Sequence, residues 1–93
     1  MNQKYTFKLY ICGNSIDSHR AINNLYLICR EQLINEFSVE IIDILKEPGK
    51  AEEEKIVATP TLIKKSPLPL RRFVGDMSSK MQILLGLNLI NYK

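Results

Sequence analysis

The sequence predicts an α/β fold, and two observations lead to that prediction. In the first half of the chain, an alternating strand pattern, a long helical pattern and a second apolar strand pattern follow one another. This βαβ order implies two parallel strands joined by a right-handed crossover. In the second half, a β-branched run interrupted by Pro60 leads into patterns for two short strands and a terminal helix.

The first strand is predicted from Tyr5 to Cys12, because apolar and polar side chains alternate there with a period of two. A helix is predicted from Ile16 to about Glu36, with a serine or aspartate of residues 15–18 as its cap. Apolar side chains at helical spacing form its expected buried stripe: Ile22, Leu25, Tyr26, Cys29 and Leu33.

The second strand is predicted at Val39–Leu45, where apolar residues follow one another almost without interruption. Such a run is typical of a strand that is buried on both faces. We therefore favour an internal position in the sheet for this strand. The alternative is that Val39–Asp43 forms an open edge to which a partner strand can be added.

Short elements are predicted in the second half of the chain. Acidic residues early in a helix suit its positive end, and they indicate a short helix at Ala51–Ile56. Strands are predicted at Leu62–Lys65 and Arg71–Val74, and the second of them returns antiparallel to the first. A last helix follows, with Ser78 or Ser79 as its cap.

Pro60 is a candidate for a cis peptide bond. Proline has no N–H to donate to a sheet ladder, so Pro60 does not fit an ordinary central strand. The cis form of an X–Pro bond costs only about 0.5–1 kcal/mol, so a kinked entry into the third strand is feasible. The alternative is a trans proline that begins an edge strand.

The residues after position 46 suit two different architectures. One has the order helix, strand, strand, helix, which makes the whole chain βαβαββα. The other places helices around residues 48–57 and 67–77 and a late strand near 87–90, which makes it βαββααβ. Gly86 lies in the terminal segment and penalises a helix there by about 1 kcal/mol relative to alanine. Local propensity does not decide between the two orders.

Length and composition limit the classes of protein to consider. The 93 residues, 45% of them hydrophobic, are expected to form a single domain over 1–93. Oligomerisation would compensate for so small a core. The net charge of +3 gives no reason to expect nucleic acid as a partner. We expect neither a signal peptide nor a membrane span, and the two distant cysteines suit a reduced, cytoplasmic protein.

Five stretches, in order, resemble the KaiB family of the thioredoxin-like superfamily. The most specific is the run from Glu53 through the Thr59–Pro60 pair to Leu62. The other matching stretches are Lys8–Ser15, Ser18–Ala21, Val39–Pro48 and the pieces of Arg71–Leu89. The resemblance implies a βαβ half that is common to two states. These are a tetrameric ground state with the order βαββααβ and a thioredoxin-like monomer with the order βαβαββα.

The resemblance also implies a function. KaiB-like proteins are not enzymes; they bind the ring ATPase KaiC and modulate its phosphorylation and ATPase cycle in circadian or stress-related timing. KaiA or a sensor histidine kinase is a further partner where present. We therefore expect a homotetramer or dimer when the chain is free, most of it in the tetrameric state, with no cofactor, metal, nucleic acid or membrane as a partner.

Several residues acquire roles through this resemblance. The implied partner-binding positions are Arg20, Lys64, Arg71, Arg72, Pro48, Glu52 and Lys55. The implied positions that control the balance between the two states are Gly86 and Asn88, and Asn88 stands where the family usually has aspartate.

A thiol oxidoreductase is the alternative function. Cys12 opens a Cys-Gly-Asn-Ser motif at the junction of a strand and a helix, where a helix N-terminus can activate a thiol. The other cysteine, Cys29, lies on the helix stripe and is expected in the core. A third possibility, the sensor domain of a SasA-type kinase, is disfavoured by Gly13-Asn14 and by the segment around Gly86.

Overall fold

A computed structural model describes residues 4–33 and 36–87. It contains four strands and three helices in the order β1, α1, β2, α2, β3, β4, α3. The strands are β1 (Tyr5–Ile11), β2 (Phe37–Asp43), β3 (Thr61–Ser66) and β4 (Arg71–Val74), and the helices are α1 (Ile16–Gln32), α2 (Pro48–Glu53) and α3 (Lys80–Gly86). This is the βαβαββα order, the thioredoxin-like arrangement of the two that the sequence predicts.

The four strands form one mixed sheet in the order β2-β1-β3-β4. β1 and β2 are parallel, with Leu9 opposite Ile41, which confirms the predicted βαβ unit. β3 runs antiparallel to β1, and β4 returns antiparallel to β3. The pairing of β1 with β3 shifts register between Thr6 and Phe7. The α/β class predicted from the sequence is therefore correct.

The turn from β1 into α1 is built by residues that suit it. Gly13 has a φ of 62°, in the left-handed region where a side chain is unfavourable. Ser15 caps α1, because its Oγ accepts a hydrogen bond from the Ser18 backbone N–H at 3.1 Å. Asp17 lies in the first turn, near the positive end of the helix.

The core lies on both faces of the sheet. On one face, α1 and α3 cover apolar side chains of β1 and β3, and we call this the α1 face. Its fully buried members include Phe7, Leu9, Leu25, Cys29, Leu62, Ile83 and Leu87. The opposite face is covered by α2 and is called the α2 face; its buried residues are Tyr10, Ile42, Ala51 and Ile63.

The prediction that β2 is an internal strand, buried on both faces, is wrong. β2 is the first strand in the sheet order, so its outer edge has no strand partner among the described residues. Within β2 only Ile42 is buried, while Ile41 is 38% exposed and Glu40 lies in solvent. The apolar run of β2 therefore packs only in part, because no strand or helix within residues 4–33 and 36–87 covers its outer side.

The second half differs from the sequence prediction in its boundaries. α2 begins at Pro48 rather than at Ala51, since proline is favoured in the first turn, where no N–H donor is needed. α3 begins directly after Ser79, one of its two predicted caps, although the Ser79 side chain makes no capping hydrogen bond. The Thr59–Pro60 peptide bond is cis, as are Ser66–Pro67 and Leu68–Pro69.

Candidate functional site

The α2 segment presents three of the implied partner-binding residues to solvent. Ala51 anchors α2 against the sheet, and Ile56 packs on the same cluster just beyond the helix. With those two side chains turned inward, Pro48, Glu52 and Lys55 are exposed. We call these three residues the α2 surface.

Glu54 fastens the end of α2 to the sheet. Its Oε2 lies 2.7 Å from the Nζ of Lys65 on β3, and its Oε1 lies 3.6 Å from Nη2 of Arg72 on β4. Arg72 also donates a hydrogen bond to the backbone carbonyl of Glu54. The hydrogen bond from Lys65, helped by the charges of Lys65, Lys8 and Arg72, holds the pKa of Glu54 below its ordinary value. The α2 surface is thereby held in a defined position by charge as well as by apolar packing.

The structure does not bring the four implied basic residues together in one cleft. Arg71 and Arg72 are neighbours on β4, so their side chains point to opposite faces of the sheet. Arg72 lies on the α2 face beside Glu54, whereas Arg71 lies opposite Lys64 on the α1 face. Arg20 is exposed on α1, 4.0 Å from the carboxylate of Asp76. They therefore belong to separate surfaces.

Lys64 is buried, with only 1% of its surface exposed. It follows Leu62 and Ile63 on β3 and faces the apolar side of the sheet, with its Nζ 5.8 Å from the centre of the Tyr5 ring. Burial and then the nearby Arg71 charge lower the pKa of its ammonium group. In this arrangement Lys64 is a core residue and is out of reach of a docking partner.

The outer edge of β2 is a second accessible surface. Its backbone borders an open depression of about 550 Å³ lined by Ile11, Gly13, Asn14, Ile41, Asp43, Lys46 and Glu47. Asp43 shapes this depression, because its Oδ1 accepts hydrogen bonds from the backbone N–H groups of Gly13 and Leu45, each at 3.0 Å. These bonds lower the pKa of the Asp43 carboxyl group. An exposed strand edge is suited to the addition of an extended segment through backbone hydrogen bonds, and the lining of this depression is mostly polar.

The two cysteines lie in different environments. Cys12 is half-buried where β1 ends, directly before the Gly13 turn, and both cysteines are free thiols. Cys29 is completely buried on α1, and burial raises the pKa of its thiol to about 12. Cys29 is therefore a core residue, as predicted, and it is not available to form a disulfide with a thiol at Cys12.

Of the two residues implied in the balance between states, Gly86 is described and Asn88 lies outside the described residues. Gly86 is the last residue of α3 and is exposed. A methyl group added to it would meet the Phe73 ring at 3.6 Å, an ordinary van der Waals distance. An alanine at this position therefore fits the helical arrangement without a clash.

Sequence reasoning missed the structural roles of Asp43 and Glu54. An aspartate at the carboxyl end of a strand, next to a strand that ends in Gly-Asn, is a recognisable signal for side-chain capping of a turn. Glu54 gave no comparable signal, because its partners lie 11 and 18 residues away along the chain.

A family model described as "KaiB domain" matches residues 8–89. The chain belongs to the KaiB family. The circadian clock protein KaiB3 of Synechocystis is 53% identical to it over 87 residues, which cover 94% of this chain and 85% of the relative. A circadian clock oscillator protein KaiB of Prochlorococcus marinus is 45% identical over 86 residues, covering 92% and 82% of the two chains. These relatives are named as clock proteins.

Solved structures show the same fold at low sequence identity. The N-terminal domain of Synechococcus elongatus SasA superposes with a TM-score of 0.76 at 18% identity, covering 100% of this KaiB-family chain and 91% of that domain. Mitochondrial thioredoxin 3 of Saccharomyces cerevisiae gives 0.72 at 12% identity, covering 96% and 81%. The thioredoxin-like fold predicted from the sequence is confirmed. Of the described helices, none has the length and apolar character needed to cross a membrane.

Proposed function

We propose that this KaiB-family chain is a non-enzymatic regulator that binds a KaiC-type ATPase ring in the cytoplasm and modulates its phosphorylation and ATPase cycle. The observation that carries the proposal is the family match over residues 8–89, together with relatives named as clock proteins. Where KaiA or a sensor kinase is present, it is a further partner. In the proposal, ATP hydrolysis belongs to the ring.

The geometry supports a docking role for the α2 surface. Pro48, Glu52 and Lys55 share one exposed segment, and the ion pairs of Glu54 hold that segment to the sheet. A surface that is already ordered loses less conformational entropy when a partner binds. The open edge of β2 offers a second, backbone-mediated contact on the same molecule.

We also propose that the free chain is a tetramer or dimer and that residues after position 46 rearrange between two states. The thioredoxin-like order described here is the state proposed to bind KaiC. The sequence after position 46 suits both orders, which is the property that a chain with two packings of similar free energy needs. If the binding state is scarce in the free chain, KaiC binding is slow and its apparent affinity is reduced.

The test is binding of the full chain to KaiC from the same source, with ATP and long incubation, followed by size-exclusion chromatography. We expect a complex, and we expect Lys55→Glu to weaken binding at least tenfold, because it reverses a charge on the α2 surface. Failure of the wild-type chain to form a complex would overturn the proposal.

Arg30→Glu is the matched control for charge. Arg30 is exposed on α1, on the other side of the sheet from α2, so the same reversal should leave KaiC binding unchanged. Equal weakening by both variants would show that net charge, and not the α2 surface, controls binding. Backbone NMR of residues 47–93 with and without KaiC tests the proposed rearrangement separately.

A further inference from the structure

The linker formed by residues 75–79, between β4 and α3, has an unusual backbone conformation. Met77 has a φ of 66°, in the left-handed region that residues with a large side chain rarely occupy. Its side chain is nevertheless 1% exposed and belongs to the core cluster on the α1 face. The linker is therefore held in a strained conformation by contacts around it.

Contacts from α1 hold the linker and the first residue of α3. The Nδ2 of Asn24 donates a hydrogen bond to the backbone carbonyl of Asp76 at 3.0 Å. Nη1 of Arg20 lies 4.0 Å from the Asp76 carboxylate. Directly after the linker, at the start of α3, the Nζ of Lys80 lies 2.7 Å from Oε1 of Glu31. Arg20, Asn24 and Glu31 lie about one and two turns apart, so they follow one side of α1.

We propose that these three contacts form a latch that keeps α3 closed against α1. When the latch is released, the strained linker relaxes and α3 opens as a local unit while β1, α1 and β2 stay folded. Two features support local opening. The polar contacts of the latch are at least partly exposed to water. α3 has only seven residues, so its own backbone hydrogen bonds are too few to keep it helical without packing.

The latch goes beyond the binding of a ring ATPase, because it concerns the free chain alone. Only its use as the first step of a rearrangement rests on the proposed function. The two proposals therefore fail separately: the latch is judged by amide exchange in the free chain, and the proposed function is judged by complex formation with KaiC.

The first test compares Asn24→Ala with Asn23→Ala by NMR hydrogen exchange on the full chain. Both variants gain the same helix propensity, but Asn23 is exposed and only Asn24 bonds the linker. Loss of one hydrogen bond should speed exchange of the Ile83 and Leu87 amides roughly 3- to 10-fold in Asn24→Ala only. Amides of β1 should exchange at the wild-type rate.

The second test reverses the charges of the Glu31–Lys80 pair. Glu31→Lys and Lys80→Glu should each speed α3 exchange by roughly 2- to 5-fold, and the double variant should return it toward the wild-type rate. Wild-type exchange of α3 in Asn24→Ala would overturn the latch. So would an equal acceleration in β1, because it would show global destabilisation, or no recovery in the double charge reversal.

Discussion

Cys12 separates the two functions that the sequence supports, because only a thiol oxidoreductase needs it. The only other cysteine, Cys29, is fully buried, and its thiol pKa of about 12 keeps it protonated at neutral pH. Cys29 therefore cannot resolve a mixed disulfide formed at Cys12.

We expect Cys12→Ser to bind KaiC as the wild-type chain does. We also expect the wild-type chain to reduce insulin disulfides, in the presence of dithiothreitol, no faster than the variant. Cys12→Ser is a small change at a half-buried position, so folding should be retained. Insulin reduction that is faster in the wild type by tenfold or more would instead support the oxidoreductase.

Single residues were the hardest feature to predict from the sequence. The Leu62-Ile63-Lys64-Lys65 pattern predicts a strand but does not show which lysine is buried: Lys64 is in the core, and Lys65 is bonded to Glu54. The register of β3 against β1 decides this, since it places Lys64 opposite Phe7 on the apolar face. Register depends on contacts between distant segments, which a local pattern does not contain.

At the scale of elements, the ion pairs of Glu54 make the attachment of α2 dependent on pH. The pKa of Glu54 is lower in the folded chain than the ordinary value of about 4.3. A lowered carboxyl pKa contributes stability that is present above the unfolded pKa and is lost as pH falls through the folded pKa. The attachment of α2 should therefore weaken below about pH 4.3.

We expect Glu54→Gln to lower the free energy of unfolding at pH 7 by roughly 0.5–1 kcal/mol and to reduce the loss of stability on acidification. Urea unfolding at pH 7 and at pH 3.5 measures both effects. Glu52→Gln is the control: it is the same substitution on the same segment, and the Glu52 side chain has no ion pair in the described part of the chain. A parallel pH dependence in wild type and Glu54→Gln would contradict the expectation.

The helices and strands themselves were largely predictable, and their positions in the sheet were less so. The alternation in β1 and the cap of α1 are local signals, and β1 and the start of α1 lie where they are predicted. α1 ends at Gln32 rather than near Glu36, and of its predicted stripe Ile22 and Tyr26 are only partly buried. The edge position of β2 was not predictable, because an apolar run looks the same whether one neighbour or two complete the sheet. The start of α2 moved three residues toward the N-terminus because Pro48 acts as a helix start.

At the scale of the whole molecule, Gly86 tests the proposed equilibrium between two states. Alanine at this position removes the glycine penalty of up to about 1 kcal/mol from α3, and its methyl group fits beside Phe73. Gly86→Ala should therefore shift the population toward the thioredoxin-like monomer by up to about fivefold. Size-exclusion chromatography measures the shift, and an unchanged tetramer fraction would contradict it.

The burial of Lys64 affects the free energy of this fold relative to other packings of the chain. Burial of the Lys64 side chain beside the Tyr5 ring costs its ammonium group hydration that a single cation–π contact restores only in part. Any competing packing that returns this amine to solvent recovers that hydration. The buried lysine on β3 thus reduces the difference in free energy between the arrangement described here and other packings of the chain.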